Sequence, residues 1–293
     1  MPTLRDINKR LKAIKNTKKI TAAMKMVAAS KLRKVQDRMM NFRPYAGGME
    51  TVLSHLAKVA EREIHPLLAL RQRKTVEVVV ITSDKGLCGA FNSNVLRASY
   101  KYIDQLKTDG IELNLSIVGR KARDFYRRRE FEMRNAWTGM SGNVTYGNAQ
   151  EIASSLSENY INEAVDEVVL IYNEFKSMIA QKIVTMKLLP IGTIEPEGEE
   201  ARDMSMYGDY MYEPSRQAIF EQLLPKYIEI QVFRALVESS AAEEAARMAA
   251  MENATKNCSE LIEKVTLQAN KVRQAMITKD LMDIVGGVEA LKK

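Results

Sequence analysis

Leu4, Ile7, Leu11 and Ile14 recur at alternating spacings of three and four, the seam of an amphipathic helix that packs on another helix. Thr3, with Asp6 three residues on, predicts a capping box at the helix start. The seam reads as loosening over Lys15 to Lys19 and resuming in a shifted phase at Ile20, Met24 and Val27, then Leu32, Val35 and Met39. Neither Gly nor Pro occurs from Thr3 to Arg43. Forty helical residues span about 60 Å, more than the roughly 30 Å diameter of a small domain. Pro44 and Gly47-Gly48 permit a kink or break, after which Met49 to about Ala60 continues the rod. At the other end Pro225 suits a first helical turn, and no further Gly or Pro follows until after Val285. Cys258, Leu261, Val265, Gln268, Val272, Ala275 and Met282 keep a similar rhythm, missing a step at Lys279. Ala241, Ala242, Ala245, Ala246, Ala249 and Ala250 leave room for close backbone approach. Gly286-Gly287 weakens the last turns by about 1 kcal/mol each. Two such helices bury both seams by pairing antiparallel.

The middle of the chain changes period. Thr75 to Thr82 is β-branched and continuous, as a buried parallel strand should be. Further strands are predicted over Leu113–Val118, Val165–Tyr172 and Ile179–Leu189, with helices over Asn92–Lys107, Arg120–Glu130 and Ala149–Ala164. Alternating strands and helices imply a mainly parallel, Rossmann-like sheet. The fold class is α/β: a long antiparallel coiled coil of the terminal helices plus a central α/β domain. The boundaries are 1–60, 70–215 and 220–293. Residues 192–213, rich in Glu and Asp, read as a solvated surface loop.

Charge sharpens this picture. The net charge is +7, but residues 1–40 alone carry 12 Lys and Arg against Asp6 and Asp37, a net of +10. Residues 226–293 balance, leaving 41–225 acidic. The basic first helix implies a solvated face, or an acidic protein partner, nucleic acid or anionic lipid. Nucleic acid would call for a recognisable module or interleaved aromatics, and neither occurs there. Cys88 and Cys258 form no ligand set with His55 and His65, so no metal site is expected. No apolar run is long enough to span a membrane, and the start lacks the apolar core of a signal peptide.

Ser83 to Asn92 follows a strand and opens a helix, where doubly wound folds bind phosphate. Its Gly86 and Gly89 make neither a dinucleotide fingerprint nor a P-loop, and Lys85 precedes the first glycine. A structural turn is the plain reading; a nucleotide-binding α/β protein with a helical interaction arm is the alternative. No nucleophile–base set is defensible, so no catalytic residue or cofactor is expected. Met24 and Met26, beside Lys18, Lys19 and Lys25, are seam residues or a contact patch. Arg247, Gln274 and Thr278 read by themselves as surface residues, the last two sharing a helix face.

Three stretches resemble one family. Ile14 to Leu32 (IKNTKKITAAMKMVAASKL), Ser83 to Asn92 (SDKGLCGAFN), and Ala246 to Thr255 with Asn270 to Thr278 and Ile284-Val285-Gly286-Gly287 are similar to the signatures of the gamma subunit of F-type ATP synthase. The resemblance covers essentially the whole chain. It implies a rotor shaft, present once per complex, standing inside a hexamer of alternating alpha and beta subunits. The α/β domain would sit on the epsilon subunit and the membrane c-ring. Nucleotides would bind the hexamer, and this chain would hold no active site or cofactor. The resemblance further implies that Arg247, Gln274 and Thr278 hydrogen-bond a beta-subunit loop, and that Met24 and Lys25 face an acidic beta segment. The setting would be peripheral, on the cytoplasmic face of a bacterial energy-transducing membrane. Photosynthetic relatives carry a cysteine pair in a central insertion; residues 192–213 contain none, so thiol switching of that kind is not implied.

Overall fold

The computed structural model describes residues 3–59, 65–140, 142–178, 180–191 and 216–291. Its elements are α1 (Leu4–Val59), a short 3-10 turn (Pro66–Leu68), β1 (Thr75–Ile81), α2 (Phe91–Thr108), β2 (Glu112–Val118), α3 (Arg120–Arg127), β3 (Asn135–Trp137), α4 (Tyr146–Ile161), β4 (Glu167–Phe175), β5 (Gln181–Leu189) and α5 (Arg216–Leu291). The acidic stretch expected to be a loop, 192–213, lies outside the described residues. Two compact units result: Met1–Ala28 with Met248–Lys293, and Ala29–Arg247.

In the first unit, α1 and α5 pair antiparallel. Leu4, Ile7, Leu11 and Ile14 pack with Val265, Ala269 and Val272. Farther along, the hydroxyls of Thr21 and Thr255 meet at 2.7 Å, and Lys25 Nζ reaches Glu252 Oε1 at 2.6 Å. The capping box is present, with the Thr3 hydroxyl donating to Asp6 Oδ2 at 2.7 Å and the Asp6 N–H donating to the Thr3 hydroxyl at 3.3 Å.

The expected phase shift does not occur. Ile20 and Val27 are mostly exposed, whereas Thr21 and Ala28 are buried and Lys18 and Lys25 half-buried. The three-four count from Leu4 thus runs unbroken through Lys18, Thr21, Lys25 and Ala28. On the stretch of α5 within this unit the buried positions are Met251, Cys258, Val265 and Ala269, while Leu261, Gln268, Ala275 and Met282 face out. The seam is set by what the partner helix can cover. Lysine stems cover apolar surface while the ammonium stays wet, so an apolar label is not required at each seam position.

The second unit is built on a five-stranded sheet, order β3-β2-β1-β4-β5. All pairings are parallel except β4 with β5. Buried on both faces, β1 needs no polar side: Val76, Val78 and Val80 enter the core formed with α2 and α3, while Val79 and Ile81 enter the core formed with α4 and α5. The exception is Glu77, fully buried on that second side. β3 was not anticipated; it is three residues long, too short to show a period. α5 starts by Arg216, so Pro225 lies inside it rather than in its first turn. Phe220, Leu224 and Ile228 on either side are buried in the core, and that burial outweighs the backbone bond proline cannot donate. Pro44 likewise lies within α1.

Candidate functional site

The glycine turn is the first candidate, and the structure explains its residues without a ligand. Asn92 reaches back from α2: its amide lies 3.0 Å from the Ser83 backbone N–H and 3.1 Å from Cys88 Sγ. Asn173, at the end of β4, donates to the Phe91 carbonyl at 3.2 Å. Leu87 and Gly89 both take left-handed backbone angles, φ 64° and 56°. Cys88 is buried, which pushes its thiol pKa up and disfavours the thiolate.

Asp84 ties the turn to its neighbours. Its Oδ1 accepts the Arg120 N–H at 3.0 Å, the first amide of α3, and its carboxylate also accepts the Gly139 N–H at 3.0 Å. These amides sit at the ends of β2 and β3, beside the crevice where such folds place anions. Here the chain's own carboxylate takes them and brings a negative charge that repels another. The packing is close: Gly119 has φ +96°, and a Cβ there would lie 2.3 Å from the Thr82 carbonyl oxygen. The amides of Arg120 and Gly139 are thus satisfied within the chain. Among the described residues, no group of three His, Cys, Asp or Glu is arranged to hold a metal.

The helix residues singled out by resemblance have different settings. Arg247 is buried and held by its own helix, pairing with Glu243 and, at 2.7 Å, with Glu244. Burial by itself would lower its pKa, but the two carboxylates overcome that and hold it above the ordinary value. This corrects its reading as a surface residue. The pairing was legible in the sequence: acids three and four residues before an arginine share its helix face. Gln274 and Thr278 are exposed, one turn apart on α5. Met24 and Lys25 are half-buried, Lys25 committed to Glu252. Past Val272, where the pairing with Leu4 ends, α5 continues with Met276, Ile277, Leu281, Met282, Ile284 and Val285 all substantially exposed. On α1, Ile20, Met26 and Val27 are also exposed. No described helix is long and apolar enough to cross a membrane. Exposed apolar surface of this extent marks an interaction site.

Comparison with known proteins agrees. The family described as ATP synthase matches residues 3–291. The ATP synthase gamma chain of Anaeromyxobacter sp. (strain Fw109-5) is 48% identical over 295 residues, covering all of both chains. That of Chlorobaculum tepidum is 44% identical over 298 residues, again covering both. The central stalk and c-ring structure of the Tetrahymena thermophila mitochondrial ATP synthase contains a chain 31% identical, with TM-score 0.60, covering 80% of this chain and 99% of that one. A rotor chain of the Euglena gracilis mitochondrial enzyme shares the fold at 20% identity and TM-score 0.63, covering 94% and 98%. The class is thus the central stalk of an ATP synthase. Within it, this chain belongs to the ATP synthase gamma-chain family.

Proposed function

We propose that this chain is the rotating shaft of an F-type ATP synthase, carrying rotation of a membrane c-ring to a catalytic alpha/beta hexamer. The observation that carries the reading is the end of α5. An isolated helix exposing six large apolar side chains over ten residues, Met276 to Val285, is costly in water. A sleeve of surrounding subunits, lined with apolar side chains, would cover it on every side. Exposed Gln274 lies just before that stretch and Thr278 within it, and both would hydrogen-bond a beta-subunit loop. Met24, Lys25 and the basic face of α1 would meet an acidic beta segment. The second unit would rest on the epsilon subunit and the c-ring, keeping the protein peripheral to the membrane on its cytoplasmic side and coupling ion flow to ATP synthesis or hydrolysis.

Arg247 enters this reading with a condition. Its guanidinium is occupied by Glu243 and Glu244, so contact with a beta loop requires sharing or exchanging those partners. The test is reconstitution of the complex with and without the chain, scoring ATP synthesis driven by an ion gradient. Synthesis at full efficiency without the chain would refute the shaft. Met24→Lys should impair coupling more than assembly; normal synthesis by that variant would remove the assigned contact.

A further inference from the structure

A shaft must be gripped as well as surrounded, and the second unit shows where. The alanines at 241, 242, 245 and 246 fall at i, i+1, i+4 and i+5 on α5. That spacing lays two small-residue stripes side by side, about 100° apart around the helix. Ala241 and Ala245 face α1, packing with Leu32. Ala242 and Ala246 face the sheet's glycine turn, where Cys88 and Phe91 pack against them. Phe175, at the end of β4, touches both groups. Gln181, opening β5, donates through Nε2 to the Ala242 carbonyl at 3.0 Å. The remaining side carries charge: Lys31 of α1 lies 3.8 Å from Glu244.

From this arrangement we infer that the Ser83–Asn92 turn is a grip that keys the α/β domain onto the shaft helix, with Phe91, Cys88 and Gln181 as its positioning residues. The inference rests on the shaft reading. A helix lined with alanine is smooth, and dispersion contacts alone resist rotation about its axis weakly. A phenyl ring seated on the two small positions, and a side chain bonded to a helix carbonyl, add contacts that a turn of the helix must break. The turn is itself braced. Asp84 ties it to α3 and to Gly139, and Asn173 holds the Phe91 carbonyl. A load on Phe91 is therefore passed to β4 and, through Asp84, to the ends of β2 and β3. This assigns the glycine turn a mechanical role in place of a phosphate site. It also gives the alanine stretch a second duty beyond close approach of the two long helices.

The test uses the assembled complex in sealed vesicles, comparing ATP hydrolysis with ATP-driven ion pumping. Phe91→Ala should retain hydrolysis and lose pumping per ATP. Adding Ala242→Leu, which returns side-chain volume from the shaft side, should restore pumping. Where Phe91→Ala yields no complex, Gln181→Ala carries the same comparison, since it removes the bond to the Ala242 carbonyl and leaves Phe91 in place. Pumping per ATP unchanged in these variants, or lost in Phe91→Ala and not restored by the second substitution, overturns the grip. A wild-type complex that pumps equally well without this chain overturns the shaft reading itself.

Discussion

Gly119→Ala probes a tightly constrained point just past the end of β2. Gly119 has φ 96° and ψ 145°, a region populated almost only by glycine, so alanine there costs about 1–3 kcal/mol in backbone strain. The new methyl would also sit 2.3 Å from the Thr82 carbonyl oxygen and 2.8 Å from its carbon. Backbone cannot rotate away as a side-chain tip can, so β1 and β2 must separate locally, with an overpacking cost of about 1–3 kcal/mol. A mid-range sum of about 4 kcal/mol lowers the melting midpoint by roughly 8–16 °C, at about 2–4 °C per kcal/mol. Gly110→Ala is the control: it also has positive φ, +71°, but nothing lies within 4 Å of its added methyl. Strain alone predicts a loss of about 1–2 kcal/mol there. Thermal unfolding of the purified chain, followed by circular dichroism, compares them. If Gly119→Ala melts with Gly110→Ala, the close approach of Thr82 to Gly119 is wrong, and so is the tight crevice that Asp84 closes.

Other outcomes follow from the packing. Ala245→Leu should overpack the contact with Leu32, lowering stability by roughly 1–3 kcal/mol in a denaturant titration; an unchanged midpoint would count against close helix approach there. Ile7→Ala should cost about 2–5 kcal/mol, whereas Gln274→Ala and Thr278→Ala, being exposed, should change isolated-chain stability by less than about 0.5 kcal/mol while lowering synthesis by the assembled complex. Glu77 is buried, and burial raises its pKa despite hydrogen bonds from Ser116 and Asn159 and the nearby Arg134. The folded state then holds the proton more tightly than the unfolded one. Its contribution to stability therefore falls as pH rises from the ordinary carboxyl value through the raised one. Subtracting the Glu77→Gln stability profile from that of wild type should isolate this slope; a flat difference would show that the carboxylate is fully compensated.

Much of the fold was legible because its signals are local. β1 declares itself by a continuous β-branched run, and the other three long strands by short apolar segments between helical ones. The start of α1 follows the capping rule read from Thr3 and Asp6, whereas the Thr145–Asn148 capping box of α4 was not anticipated. Arg247 shows the opposite case. Its residue type and resemblance marked it for a partner, yet the acids that hold it stood three and four residues upstream in plain view. Asp84 could not be understood from its neighbours in sequence, since its donors come from Arg120 and Gly139.

The terminal helices divide the same way. Composition and spacing determined that both ends are helical, that they can pair antiparallel, and that the first is strongly basic. The family came from elsewhere, from the likeness of the Ile14–Leu32, Ser83–Asn92 and C-terminal motifs to its signatures. Which face pairs was decided only in three dimensions. Ile20 and Val27 are the more apolar choice, yet Lys18, Thr21, Lys25 and Ala28 take the seam. Hydrophobicity says what a residue gains by being covered; geometry says which positions a partner helix reaches. Leu4 to Ile14 set the phase against Val265 to Val272, and a regular helix then carries that phase onward whatever residues follow. The apolar side chains left outside, like those beyond Val272, are surface that this chain does not cover with the helix pair.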